Sequence, residues 1–374
     1  MKTILFVFGT RPEAIKMASL IKAFRQDDAF EVKIAVTAQH REMLDQVLEF
    51  FSITPDYDLN LMRPNQTLFH ITADVLMQIQ EIYDDAKPDM VFVQGDTTTV
   101  FAGALAAFYK KIKIAHVEAG LRSHNKYSPF PEEMNRLLTT RLADIHLAPT
   151  PTAADNLRKE GITEDIYITG NTVIDALFLG LDMLKDNEKP YKDFFENIDF
   201  SKKIILVTCH RRENFGAPFR DICQALLDIV EAHTDVQIIY PVHLNPNIKE
   251  VAHTLLLHPR IKLITPLEYP YLLWLMHKSY LILTDSGGIQ EEGPSLGKPI
   301  LVLREVTERQ EGIDAGTAIL VGTDREYIFS NAHRLLTDNI AYESMAKAVN
   351  PYGDGTSATQ TVEIVKAWFE KNHP

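Results

Sequence analysis

The chain is 374 residues long, 45% hydrophobic and 24% charged, with a formal net charge of −13. Its length favours two domains, and its composition is that of a soluble globular protein. The acidic balance argues against a nucleic-acid binder, but a local basic pocket for an anionic ligand remains compatible with it.

Short apolar, β-branched runs alternate with amphipathic helical patterns from end to end. In the first half the predicted strands are "ILFVF", "VKIAVTA", "MVFVQG", "IKIAHVE", "IHLAP" and "IYITG". In the second half they are "IILVTCH", "VQIIYPVH", "IKLIT", "LILTDSG", "PILVL" and "AILVG". Segments such as "PEAIKMASLIKAFRQ" and "FRDICQALLDIVEAH" between them read as helices. This alternation predicts βαβ units with parallel strands buried on both faces. The polar segment Asp186–Lys203 reads as a linker after which the pattern restarts. The expected organisation is two Rossmann-like doubly wound α/β domains facing a cleft. One spans 1–170, rejoined by a C-terminal helix at about 357–374, and the other spans 171–356. Two cysteines without a CxxC pair, Cys209 and Cys223, point to a reducing compartment with neither disulfide framework nor zinc ribbon. The apolar run before Gly9 is too short for a signal peptide or membrane span, and no later stretch spans without charge. A cytoplasmic protein without membrane insertion is expected.

In open α/β sheets, ligands bind beyond the C-terminal ends of the strands. There, the first strand runs into "FGTRPEAIK", where a helix N-terminus offers N–H groups to an anion, with Arg11 and Lys16 beside it. The third ends in "QGDTTTV", where Asp96 is as compatible with capping the next helix as with catalysis, and Thr97 or Thr98 competes for the cap. The fourth ends in "HVEAGLRS", with His116 and Glu118 on one strand face and Arg122 as a structural partner for the acid. Glu132 and Glu133 open a helix after Pro129 and Pro131. In the second half, "HRREN" puts His210 beside two arginines, a setting suited to phosphate unless Glu213 neutralises it. Ser286, Gly287 and Gly288 in "DSGGIQEE" suit a pyrophosphate, Glu291 and Glu292 offer carboxylates to a ribose, and Arg309 follows. No metal-site motif is present, and His116 with Glu118 lacks a third ligand.

These segments, with "QHREMLDQV", "FPEEMNR", "PVHLNP", "TERQEG" and "NPYGDGT", resemble in order the motifs of the bacterial non-hydrolysing UDP-N-acetylglucosamine 2-epimerases. The resemblance covers nearly the whole chain. It implies a glycosyltransferase-B type of fold, a homodimer, and neither cofactor nor metal. It also implies reversible C2 epimerisation of UDP-N-acetylglucosamine to UDP-N-acetylmannosamine, through elimination of UDP to 2-acetamidoglucal and re-addition, for surface polysaccharide or teichoic-acid linkage synthesis. By motif match, Asp96, Glu118 and Glu132 are the acid/base set and His210 stabilises the leaving UDP. Arg11, Lys16, Ser286, Gly287, Gly288 and Glu292 bind the nucleotide. Activation by UDP-N-acetylglucosamine at a second site is implied for Gln39, His40, Gln66 and His243; Glu42 and Asn65 depart from some relatives. A hydrolysing epimerase, a glycosyltransferase and a non-catalytic nucleotide-sugar sensor are the alternatives. The retained second-site segment and the lack of an appended sugar-kinase domain argue against the first.

Overall fold

The computed structural model describes residues 1–38, 41–63 and 66–372. Two compact units are present: Met1–Leu179 with Tyr352–Pro374, and Gly180–Pro351. In the first unit the chain runs β1 (Lys2–Phe8), α1 (Arg11–Arg25), β2 (Phe30–Val36), α2 (Arg41–Phe50), β3 (Tyr57–Asp58) and α3 (Leu68–Ala86). It continues through β4 (Met90–Gln94), α4 (Thr98–Tyr109), β5 (Lys113–Val117) and α5 (Glu132–Leu142). β6 (Ile145–Ala148), α6 (Pro151–Lys159), β7 (Ile166–Ile168) and α7 (Thr172–Asp186) follow.

The second unit contains α8 (Lys189–Phe194), β8 (Lys203–Thr208), α9 (Ala217–Ala232), β9 (Val236–Pro241), α10 (Pro246–Leu255) and β10 (Ile261–Ile264). Next come α11 (Tyr269–Lys278), β11 (Leu281–Thr284), α12 (Gly287–Ser295), β12 (Ile300–Val302) and α13 (Gln310–Asp314). β13 (Ala318–Leu320), α14 (Arg325–Thr337) and α15 (Asn339–Ala346) complete it, and α16 (Ser357–Asn372) belongs to the first unit. All twelve expected strands form; the two-residue β3 carries no apolar run and was not expected.

Both sheets are parallel and doubly wound. Their orders are β3-β2-β1-β4-β5-β6-β7 and β10-β9-β8-β11-β12-β13. Each reverses direction beside its own first strand, between β1 and β4 and between β8 and β11. Loops leaving these strands splay apart there, which makes the reversal the natural ligand crevice. The strands that flank it are apolar on both faces because helices cover both. In the first unit Phe6, Phe24 and Phe92 form an aromatic cluster, with Phe6 and Phe92 centroids 5.0 Å apart. In the second, Tyr240 and Phe219 lie in the core, and the Tyr240 hydroxyl donates to the Cys209 carbonyl at 2.6 Å.

Two expectations about organisation change. The boundary falls within α7 rather than after Gly170, because the start of α7 is tied to the C-terminal segment. Asn171 N–H donates to the Tyr352 carbonyl at 2.6 Å, and Ala358 N–H donates to Asp175 at 2.8 Å. Nor is Asp186–Lys203 a free linker. Its residues 189–194 are helical, and buried Phe195 stacks on Trp274 with centroids 5.2 Å apart, anchoring the segment in the second unit. No described helix is long and apolar enough to cross a membrane.

Gly120, just past β5, has φ +93°, and a Cβ there would lie 2.2 Å from the Ala153 carbonyl oxygen. Gly120→Ala combines a left-handed penalty with overpacking against backbone. It should lower stability by roughly 2–5 kcal/mol, seen as a lower urea midpoint.

Candidate active site

In the first unit, the turn from β1 into α1 does not leave its amides open. Glu13, nearly fully buried, folds back so that Oε2 accepts N–H bonds from Gly9 at 2.7 Å and Thr10 at 2.8 Å. Its other oxygen accepts from the Thr97 hydroxyl at 2.5 Å, and burial pushes its carboxyl up from the usual range. The anion site expected at this turn is therefore already partly filled by the protein's own carboxylate. Arg11 opens α1 and is half-buried. One turn further, the Lys16 ammonium binds both oxygens of Glu118, at 2.7 and 2.6 Å. Its charge serves the acid, where the sequence had suggested the nucleotide.

Glu118 follows β5 with only 9% of its surface exposed and with φ +64°. A left-handed conformation at a non-glycine residue costs roughly 1–3 kcal/mol and persists only where the surroundings enforce it. Here Lys16, Gln94 Nε2 and Asn171 Nδ2 (at 3.1 Å) all donate to the carboxylate. Arg122, expected as its structural partner, instead forms a two-point ion pair with Glu160 at 2.6 and 2.7 Å. His116 is buried and donates from Nε2 to the Gly95 carbonyl at 2.8 Å. Burial pushes its imidazolium down to about 3, so the ring is neutral. The change of backbone at Glu118 ends the strand alternation that would have placed the two side chains together. Among the described residues no group of three or more His, Cys, Asp and Glu side chains is placed to hold a metal ion.

Asp96 does not cap the next helix. Thr97 is the N-cap of α4, its Oγ1 accepting from Val100 N–H. Asp96, with 28% of its side chain exposed, instead pairs with Arg136 at 2.8 Å, and Asn135 Nδ2 donates to its backbone carbonyl at 2.9 Å. Burial pushes the Asp96 carboxyl up. Arg136 and Lys16 oppose this, while the charges of Glu118 and Glu132 add to it. Glu132 stands half-buried at the start of α5, within electrostatic reach of Asp96. Its neighbour Glu133 does different work, accepting the Ser123 and His124 N–H groups at 3.0 Å each and fixing the preceding loop. Asp96, Glu118 and Glu132 are thus brought together, and Glu133 is set apart from them.

In the second unit the switch point is organised by Asp285, fully buried after β11. Its Oδ2 accepts from the N–H groups of His210 and Arg211, both at 2.7 Å, and from Asn214 Nδ2 at 3.2 Å. His210 follows β8, and Arg211 Nε donates to the Asp285 carbonyl at 3.1 Å. Glu213 does not neutralise this loop, because it pairs with Arg304 at 2.7 Å. The His243 ring, expected at a separate regulatory site, stacks on His210 with centroids 5.5 Å apart. Gln66 in the first unit donates to the Leu61 carbonyl at 2.5 Å, while Gln39, His40 and Asn65 lie outside the described residues.

Ser286 is the N-cap of α12, and Gly287 and Gly288 form its first turn. Neither glycine has a positive φ, and a Cβ on either meets nothing closer than 3.4 Å. Chain conformation does not demand glycine at either position. Small residues at the first turn of a helix leave room near its orphan N–H groups. Of the acid pair behind them, Glu291 pairs with Arg309 at 2.7 Å, so Arg309 balances a protein carboxylate. Glu292 is buried and accepts from the Tyr269 hydroxyl at 3.3 Å.

Sequence reasoning missed Glu13, Gln94, Arg136, Asn171 and Asp285. A signal existed for Arg136, four residues after Glu132 on one helix face, and for Asp285, an acid at the tip of an apolar strand.

Two doubly wound units with charged groups at both switch points place the protein in the glycosyltransferase-B class of two-Rossmann-domain enzymes. Within that class the chain belongs to the UDP-N-acetylglucosamine 2-epimerase family, whose sequence profile matches residues 22–366. It is similar to the UDP-N-acetylglucosamine 2-epimerase of Escherichia coli K12, 54% identical over 97% of this chain and 98% of that one. The crystal structure of the Neisseria meningitidis UDP-GlcNAc 2-epimerase bound to UDP-GlcNAc superposes with a TM-score of 0.89. It is 47% identical and covers 98% of this chain and 100% of that one. The Methanocaldococcus jannaschii enzyme in complex with UDP-GlcNAc and UDP gives 0.79 at 36% identity, covering 98% and 99%.

Asp96 gives a pH test with a definite sign. A carboxyl raised in the folded state contributes stability at low pH that is lost as pH rises through the folded value. Relative to the native protein, Asp96→Asn should therefore gain stability as pH rises from about 4 to about 8. Urea midpoints across that range check this; an Asp96→Asn midpoint that stays level with, or falls relative to, the native one as pH rises contradicts the environment described for Asp96.

Proposed function

We propose that this protein interconverts UDP-N-acetylglucosamine and UDP-N-acetylmannosamine without hydrolysis. The hydrogen at C2 of the sugar is not beside a carbonyl, so simple enolisation is unavailable. A carboxylate of the Asp96, Glu118 and Glu132 set removes the C2 proton. The C2–H electron pair forms the C1=C2 double bond, and the C1–O bond breaks with its pair leaving on UDP. Re-addition of UDP to C1 of the 2-acetamidoglucal, with a proton delivered to the opposite face of C2, yields the epimer. The observation that carries this reading is the under-neutralised carboxylate cluster. Lys16 pairs with Glu118 and Arg136 with Asp96, Arg136 also lies 3.6 Å from Glu133, and the Glu132 charge acts on Asp96 as well. Crowded like charges raise the proton affinity of such a cluster, which suits acid/base chemistry on two faces of one carbon.

Arg11, Ser286, Gly287, Gly288 and Glu292 are assigned to the nucleotide, with Lys16 supporting Glu118. His210 is assigned to the charge that develops on the leaving diphosphate. The α12 N-terminus supports this assignment, since uncovered N–H groups and the positive dipole end favour phosphate. Activation by UDP-N-acetylglucosamine is proposed through His243, with Gln39, His40 and Gln66 as further candidates. The stacking of His243 on His210 offers a direct route from that ligand to the chemistry. The proposal extends to a homodimer and to supply of UDP-N-acetylmannosamine for surface-polysaccharide or teichoic-acid linkage synthesis.

In D2O the native enzyme should place deuterium at C2 of both nucleotide sugars. Asp96→Asn, Glu118→Gln and Glu132→Gln should each slow turnover by about 10²–10⁴-fold while remaining folded. Proton NMR checks both points, and release of free N-acetylmannosamine instead would identify a hydrolase. Conversion of pure UDP-N-acetylmannosamine should show a lag that a trace of UDP-N-acetylglucosamine abolishes. Lag-free progress curves would remove the activation reading.

A further inference from the structure

The Asp285 carboxylate has two oxygens with different neighbours. Oδ2 is fully used by two backbone N–H groups and the Asn214 amide. Oδ1 is buried, has no hydrogen-bond partner among the described residues, and lies 3.4 Å from His210 Nδ1. A loop staple needs only the first oxygen. Burying the second without a strong donor is costly, most of all for a charged group, unless the imidazole approaches and satisfies it. The backbone bond from His210 N–H to the same carboxylate holds the residue in place for that approach.

The remaining surroundings oppose a charged imidazole. Facing His210 are Arg211 from its own loop, His243 from the loop after β9, and Asp285 from the loop after β11. Burial lowers the imidazolium's proton affinity most, and Arg211 and His243 act in the same direction. Asp285 alone opposes them. The Cys209 thiol lies against the same carboxylate and is held neutral by burial, so it offers a weak S–H hydrogen bond but no charge.

We propose that Asp285 is a positioning residue for His210, taking Nδ1–H so that Nε2 faces the departing diphosphate and the imidazolium is favoured as negative charge develops there. This rests on the reading of His210 as the leaving-group residue. A carboxylate that fixes tautomer and orientation, and stabilises the imidazolium without itself taking the proton, is an established solution in other enzymes.

The test is Asp285→Asn, whose remaining carbonyl can still accept the two backbone N–H bonds but whose amide cannot take Nδ1–H. Epimerase activity that needs cationic His210 is lost as pH rises through the imidazolium's range. Loss of the carboxylate lowers that range, so the alkaline limb of the kcat profile should move down by about 1–3 pH units. At neutral pH kcat should fall by about 10–100-fold with KM little changed. An unmoved limb, or a loss confined to KM, overturns the proposal. Should Asp285→Asn not fold, nitrogen-15 histidine NMR of the native protein decides, with the His210 signal assigned by its loss in His210→Gln. A cationic or Nδ1–H form is expected, and a neutral Nε2–H tautomer with bare Nδ1 overturns the proposal. Native protein that folds but turns over no nucleotide sugar would refute the proposed function instead, a result separate from either of these.

Discussion

The first unit depends on the ion pair between Lys16 and Glu118. It links α1 to the end of β5, while Gln94 at the end of β4 and Asn171 before α7 complete the carboxylate's hydrogen bonds. Four chain segments therefore converge on one side chain, which is held there in a left-handed backbone conformation. Burying two opposite charges costs desolvation that their attraction barely repays, so such a pair is a poor device for stability alone. A conformational cost and a desolvation cost at the same residue, one strand from the sheet's switch point, are what the proposed acid/base role would account for.

Once Lys16 is committed to Glu118, the charge state of the cluster follows. Arg136 is divided between Asp96 and Glu133, and Glu132 adds a further negative charge close to Asp96. Electrostatics then favours keeping a proton on the cluster. Asp96, the acid for which burial and like charges act together, is its natural holder. The second unit has the opposite character. Its buried carboxylate, Asp285, accepts from loop amides, with the His210 imidazole 3.4 Å away, and the N-terminus of α12 follows it in the chain. A net charge of −13 for the whole chain thus conceals a division between a unit that gathers carboxylates at its strand ends and a unit that gathers histidine and arginine there.

Much of this was legible in the sequence, for identifiable reasons. Parallel strands buried on both faces are continuous apolar runs, so all twelve principal strands could be read. Because their C-terminal ends form the crevice, Asp96, Glu118 and His210 could be picked out by position alone. What escaped were contacts set by tertiary approach. Nothing in "FGTRPEA" shows that Glu13 will turn back onto Gly9 and Thr10, or that Thr97 will leave the Asp96 carboxylate for Arg136 by taking the helix cap itself. Asn171 is 53 residues from Glu118, and no local pattern joins them. The acid doublets Glu132–Glu133 and Glu291–Glu292 read as equivalent pairs, yet each divides: Glu133 holds a loop and Glu291 holds Arg309. The polar stretch at 186–203 read as a linker because the aromatic contacts that anchor it, Phe195 on Trp274 and Phe194 on Tyr271 among them, have partners far away in the sequence.

The central claim is that the C1–O bond of the nucleotide sugar breaks and re-forms on the enzyme. Substrate carrying oxygen-18 in the bridge between C1 and the β-phosphorus tests it most directly, followed by phosphorus NMR as epimerisation proceeds. Elimination releases a β-phosphate whose oxygens exchange positions before re-addition, so the label should migrate from the bridge to non-bridging sites in recovered UDP-N-acetylglucosamine. Epimerisation with the label retained wholly in the bridge would contradict the account.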